Sequence, residues 1–196
     1  MPDYYLLYKP YAVLSQFTSE SGKTTLKDIT EVPRDVYAVG RLDFDSEGLL
    51  LLTNDKSINS RLLNPSLNHE REYWAQVEGN ITTAAIEKMT SGIDITIDGH
   101  IYRTMKSAIT ALDKPPNIVE RVPPIRFRKS IPTSWLTLIL TEGKNRQVRK
   151  MTAAAGFPTL RLIRYRIEKL TIEGLQPGDI RTLTKNETHH ALFGKK

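Results

Sequence analysis

The chain has 196 residues, 39% of them hydrophobic and 26% charged, and no cysteine. It is long enough to bury a core without staples, and its composition excludes disulfide scaffolds, thiolate metal sites and a cysteine nucleophile. The net charge of +6 divides unevenly: residues 1–100 hold 9 Lys and Arg against 15 Asp and Glu, whereas residues 101–196 hold 19 against 7, and a basic half of this size suits a polyphosphate backbone.

The start of the chain lacks a basic stretch followed by an adequate apolar run. No later segment approaches the roughly 18 apolar residues of a membrane helix, so a cytoplasmic protein with no membrane partner is expected. Tyr4 to Tyr8 reads as a strand stopped by Pro10, which leaves Lys9 at a strand end. Thr24 or Thr25 can cap a short helix through Ile29, and Val36 to Val39 leads into a second strand.

GRLDFDSEGLLLLTND then places an acidic turn carrying Asp43 before a buried run, Leu49 to Leu52. Asp55 or Ser57 can cap a helix containing Ile58, Leu62 and Leu63. Glu72 to Val77 alternates as a strand, with Tyr73, Ala75 and Val77 on one face. Residues 82–91 read as a helix between Thr82 or Thr83 and Gly92.

Asp98-Gly99 is a hairpin signal between the runs Ile93 to Ile97 and Ile101 to Leu112. Residues 113–133 hold five prolines and five Lys or Arg, which predicts an extended basic loop, and loops of this kind are often functional. A strand from Trp135 to Leu140 precedes a helix in NRQVRKMTAAAGFP, with Asn145 as its N-cap and Val148, Met151 and Ala155 on its apolar face. Two or three short strands follow, with a turn at Gln176 to Asp179, and the tail 186–196, including His189 and His190, reads as flexible. Strands outnumber helices without regular βαβ alternation, so the fold class is α+β on a mainly antiparallel sheet.

Two groups of residues could carry chemistry. Asp43, Asp45 and Glu47 would share one face of an extended chain, as a divalent cation site requires, or could supply the paired carboxylates of a glycosidase. Ser46 and Gly48 favour a turn instead, and neither an EF-hand pattern nor a histidine-rich shell accompanies the cluster. Lys144, Arg146, Arg149 and Lys150 gather at the start of a helix, where backbone N–H groups already favour phosphate, although a solvated basic face would have the same composition. His69, His100, His189 and His190 are scattered without metal-ligand spacing, and no nucleotide-cofactor motif is present.

Taken together, YKP at 8–10, GRLDFDSEGLLLLTND at 40–55, REYWAQVEG at 71–79, LTEGKNRQVRKM at 140–151 and LRLIRYRI at 160–167 resemble the RsuA/RluB/RluE/RluF family of ribosomal RNA pseudouridine synthases. The run PPIRFRKSIPTSWL from Pro123 resembles the branch that modifies the large ribosomal subunit. The resemblance implies a twisted, mostly antiparallel sheet with flanking helices and a cleft along its middle, built as one catalytic domain over residues 1–185 with two lobes sharing the sheet.

It further implies a catalytic Asp43, with Arg41 holding or displacing a flipped nucleotide and Tyr73 stacking on the uracil. Arg149 would be the cation that keeps the aspartate ionised, and Leu162 the apolar residue of the pocket. Lys9, Lys144 and Arg146 complete the expected substrate contacts. No cofactor is needed, because the reaction neither adds nor removes atoms. The expected partner is large-subunit ribosomal RNA or an assembly intermediate, acted on by a monomer.

Many relatives carry an S4 RNA-binding module ahead of the first strand. The given sequence begins almost directly at the YKP strand, so no such module is expected, and target recognition is expected to fall on the catalytic domain and its 113–133 loop. Lys56 and Arg71 depart mildly from the family pattern, at positions where Gly and Lys are common. A noncatalytic ribosomal RNA-binding or assembly factor with the same fold is the alternative.

Overall fold

The computed structural model describes residues 2–126, 128 and 130–194. In chain order, the first segment contains β1 (Tyr4–Lys9), β2 (Val13–Leu14), β3 (Thr24–Thr25), α1 (Leu26–Ile29), β4 (Tyr37–Ala38), β5 (Glu47–Thr53) and α2 (Lys56–Leu62). The middle of the chain forms β6 (Arg71–Glu78), α3 (Thr83–Thr90), β7 (Asp94–Ile97), β8 (His100–Arg103), β9 (Ala108–Leu112), β10 (Thr133–Leu140), α4 (Gln147–Ala154) and β11 (Thr159–Ile167). The chain closes with β12 (Leu170–Thr171), β13 (Ile180–Leu183) and α5 (Lys185–Phe193).

These elements form two units, one from residues 1–69 and 164–196 and the other from residues 70–163. In the first, β1 lies between β13 and β5 and is antiparallel to both, Leu6 pairing with Arg181 on one side and Leu51 on the other. Every residue of β5 is buried, which explains why its sequence is a continuous apolar run rather than an alternating one. Leu7, Leu50 and Leu52 pack with Val13, Leu26 and Val36 into this unit's core. Thr25 caps α1 through a reciprocal pair with Asp28, the arrangement that satisfies two orphan N–H groups at a helix start.

In the second unit β10 lies between β6 and β9, antiparallel to both, so that Leu138 faces Tyr73 and Ile109. Ala75, Val77, Leu136 and Leu138 pack with Met89 of α3 and with Val148 and Met151 of α4. The alternation read in β6 is therefore an inward face of Tyr73, Ala75 and Val77. The run Ile101 to Leu112 is not one strand but two, β8 in the hairpin with β7 and β9 against β10. Thr104 ends the first: its N–H and hydroxyl both serve Ile93.

Apart from the short β2–β3 pair, the described pairings are antiparallel, as an α+β chain of this kind predicts. No helix or strand interrupts residues 113–132 among those described, and Phe127 and Lys129 of that expected loop lie outside the described residues.

β11 is nine residues long, longer than the short closing strands expected. The expected tail is also different: α5 has Thr184 as its cap, with Thr188 and Leu192 buried. Rings account for its seating. His189 meets Tyr4 and Phe193 edge-on, and the Arg61 guanidinium stacks 3.7 Å from the Phe193 ring centroid. Lys195 and Lys196 lie outside the described residues.

Candidate active site

The turn that carries Asp43 is built by its neighbours. Ser46 N–H donates to Asp43 O at 3.1 Å, closing the turn Asp43 to Ser46. On the approach, Leu42 is clamped at both of its main-chain groups by one hydroxyl: Ser15 Oγ donates to Leu42 O at 2.8 Å and accepts from Leu42 N at 3.0 Å. Ala12 N–H donates to Phe44 O at 2.9 Å. These main-chain bonds fix where the half-buried Asp43 side chain and the exposed Arg41 stand.

Gly48 lets β5 leave this turn. Its φ is +108°, and a Cβ placed there would lie 2.3 Å from the Arg164 carbonyl oxygen. Arg164 is itself buried and donates from Nε to Leu49 O at 2.8 Å.

The acidic cluster lies on the turn that leads into β5 and not on one extended strand. Among the described residues no group of three or more His, Asp and Glu side chains could hold a metal ion. Glu47 is buried at the start of β5, and so is Lys9 across from it. Lys9, expected as a substrate contact, is wholly buried, and its ammonium donates to Pro10 O at 2.8 Å and Val13 O at 2.7 Å. It braces the link between β1 and β2. Burial pushes the ammonium down to about 7, while Glu47, Asp45 and Asp43 pull it upward and Arg164 pushes it further down.

That depression has a measurable consequence. Between about 7 and the ordinary value of 10.5, the unfolded chain holds a proton that the folded chain has released, so stability rises with pH. Urea midpoints are expected to climb from pH 7 to pH 10, before Tyr4, raised to about 12, begins to act in the opposite sense. In Lys9→Met the climb over that window should disappear, and a climb of equal size in the variant would show that other groups cause it.

The second unit assembles the remaining candidates. Tyr73 of β6 is half-buried and packs against the same apolar cluster that contains Leu162 of β11. Arg149 projects from α4, whose Val148 and Met151 enter that cluster, and its Nη1 donates to Thr159 O at 3.2 Å.

α4 begins differently from the sequence expectation. Arg146, not Asn145, is its N-cap, with φ +51°, and no side chain caps it. The Gln147 side chain instead braces the loop ahead of the helix, its Oε1 accepting from Lys144 N at 3.0 Å and its Nε2 donating to Glu142 Oε1 at 2.6 Å.

Glu142 is the hub that the motif reading missed. It is buried, and its carboxylate also accepts from Met105 N at 2.8 Å and from the Tyr102 hydroxyl at 2.6 Å. The bond to Glu142 raises Tyr102 to about 12. With Glu142 and Gln147 turned inward, Lys144 and Arg146 are left exposed, Lys144 Nζ lying 4.7 Å from the Tyr102 ring centroid. The available signal was the pair of uncharged or acidic members in a motif otherwise read for its cations.

The candidates thus fall into two sets: Lys9, Arg41 and Asp43 in one unit, and Tyr73, Lys144, Arg146, Arg149 and Leu162 in the other. The family model described as RNA pseudouridylate synthase matches residues 3–154, and the chain belongs to that family, whose members are isomerases acting on RNA. Within it the chain lies in the RsuA/RluB/RluE group.

It is 47% identical over 171 residues to the ribosomal large subunit pseudouridine synthase E of Vibrio vulnificus, covering 87% of this chain and 70% of that one. To the protein of the same name in Xanthomonas campestris pv. campestris it is 46% identical over 178 residues, covering 90% and 92%. A solved structure described as a pseudouridylate synthase has a TM-score of 0.78 at 24% identity, covering 98% of this chain and 74% of its own, and shares the fold. No helix among the described residues is long and apolar enough to cross a membrane.

Proposed function

We propose that the chain isomerises a specific uridine of 23S ribosomal RNA to pseudouridine, with Asp43 as the catalytic carboxylate acting on a flipped-out nucleotide. The target atom of a stacked base is inaccessible, so the nucleotide leaves the stack at a cost of a few kcal/mol, which base stacking and phosphate contacts offset. Arg41 displaces or holds it, Tyr73 stacks on the uracil and Leu162 packs behind the ring. The N1–C1′ bond then breaks, the uracil turns, C5 bonds to C1′, the C5 proton leaves to solvent and N1 takes up a proton, so that no atom is gained or lost. Asp43 promotes the first step by attack at C1′ or by taking a neighbouring sugar proton, as carboxylates do in related glycosyl chemistry.

Arg149 serves the reaction as a cation, and Lys144 and Arg146 hold phosphate. Residues 1–185 would act as one catalytic domain.

The observation that carries this reading is the Asp43 turn, whose backbone is fixed by Ser15, Ala12 and Ser46 so that the position of the carboxylate is set before RNA arrives. The names of the similar proteins support the large subunit as the source of the RNA.

The test is incubation with ribosomal RNA carrying tritium at uridine C5. The wild-type chain is expected to release tritium from 23S RNA, to an end point of one site per molecule, and not from 16S RNA. Tight binding to 23S RNA with no tritium release would instead identify a noncatalytic binding factor.

A further inference from the structure

Described residues between Glu120 and Thr133 line a cavity in the second unit of about 550 Å³, within the roughly 300–1,000 Å³ range of small-molecule sites. Its lining contains four arginines, Arg121, Arg126, Arg128 and Arg161, against two carboxylates, Glu78 and Glu120. Two of the arginines are fixed by their surroundings. Arg161 is 5% exposed, a guanidinium built into the wall by β11. Arg121 is tied to its own loop, Nε donating to Pro123 O at 2.8 Å. Arg126 and Arg128 are exposed at the rim, where Arg128 reaches Glu78 at 3.1 Å.

The opposing wall is equally well held. Glu78 N–H donates to Pro158 O at 2.9 Å, Gly79 N–H to Pro132 O at 2.7 Å, and Gln76 Nε2 to Thr133 Oγ1 at 3.1 Å. Between these polar groups lie Ile125, Ile131 and Leu160, which offer apolar surface to a flat ring.

The lining holds more guanidinium groups than carboxylates, and a guanidinium fork matches phosphate oxygens in pairs. A base can lie on the isoleucine and leucine side chains while the carboxylates accept hydrogen bonds from its amino group. The cavity has room for one nucleotide and none for a paired helix. We infer that this cavity binds a single unpaired nucleotide of the RNA substrate together with its phosphate, as a recognition site separate from the target uridine. This rests on RNA being the substrate, and it places sequence recognition in the part of the chain where the basic charge is concentrated.

The experiment uses the full chain carrying Asp43→Asn, so that nothing turns over, and compares it with the same chain carrying also Arg126→Ala and Arg128→Ala. The probe is a labelled 12-nucleotide RNA, offered single-stranded or annealed to its complement. The double change is expected to weaken single-strand binding about tenfold and to lower the salt slope by about 0.7 for each phosphate no longer neutralised, with duplex binding changed less than twofold.

Arg126→Glu should weaken single-strand binding further. Both substituted side chains are exposed, so the fold is retained, as circular dichroism would register. In the otherwise wild-type chain the same loss should fall on KM for 23S RNA and not on kcat. Equal loss for both strands, or no loss for either, would overturn the nucleotide site. The binding arms hold whatever the tritium assay gives, so wild-type chain that binds through these arginines but releases no tritium would refute the proposed reaction alone.

Discussion

Asp43→Asn is expected to lower tritium release from 23S RNA by about ten-thousandfold or more, the scale seen when a reacting group is removed from a catalytic set. Asparagine keeps the size and shape of the side chain and can still accept a hydrogen bond, but it carries no negative charge and neither attacks a sugar carbon nor takes a proton. The turn should survive, since Ser46 bonds to the carbonyl oxygen of residue 43 and not to its side chain.

RNA affinity is expected to stay within about threefold, because a neutral group beside a phosphate backbone costs nothing in counterion release. A second readout checks that the substitution acts locally. Asp43 is among the carboxylates that pull the Lys9 ammonium upward, so in the variant Lys9 should titrate lower, a shift that NMR of the lysine side chain would register. Release within tenfold of wild type would remove Asp43 from the chemistry.

Gly48→Ala is expected to destabilise the chain by about 4 kcal/mol, combining the strain of a left-handed φ with overpacking of a closed core. The new methyl group would meet the Arg164 carbonyl oxygen at 2.3 Å and its nitrogen at 2.7 Å. Both are backbone atoms within a strand, so no rotamer change relieves the contact. The loss should appear in the urea midpoint, with turnover falling in step with the folded fraction. Gly178→Ala is the control: its φ is also positive, at +100°, but nothing lies within 4 Å of a Cβ there. If the two variants lose equal stability, the φ angle and not the close approach of β11 is the cause.

Much of this was legible from spacing alone. A cap at Thr24 or Thr25 before α1, at Asp55 or Ser57 near the start of α2 and at Thr82 or Thr83 before α3, and the alternation of β6, each have a local physical cause, so short windows of sequence contain the signal. Asp43 on a turn was legible for the same reason, Ser46 and Gly48 being turn residues in register with it.

The N-terminus of α4 was not. Asn145 has the better intrinsic capping preference, but Gln147 is drawn inward by a glutamate five positions earlier, which is itself held by Tyr102 and Met105, far from it in the chain. The tail was misread because α5 has weak amphipathic patterning. It is held through His189 on the Tyr4 ring and Phe193 under the Arg61 guanidinium, contacts that span most of the chain's length.

By itself the sequence determined the α+β class and the family, because these depend on residue type and near-neighbour spacing. Only the tertiary structure decided that Lys9 is a buried support, that Glu142 and Gln147 shape the basic loop, and that four arginines distributed over forty positions line one recess. Burial and charge balance are sums over neighbours in space, and a strand such as β11 brings together residues whose separation in the chain carries no hint of it.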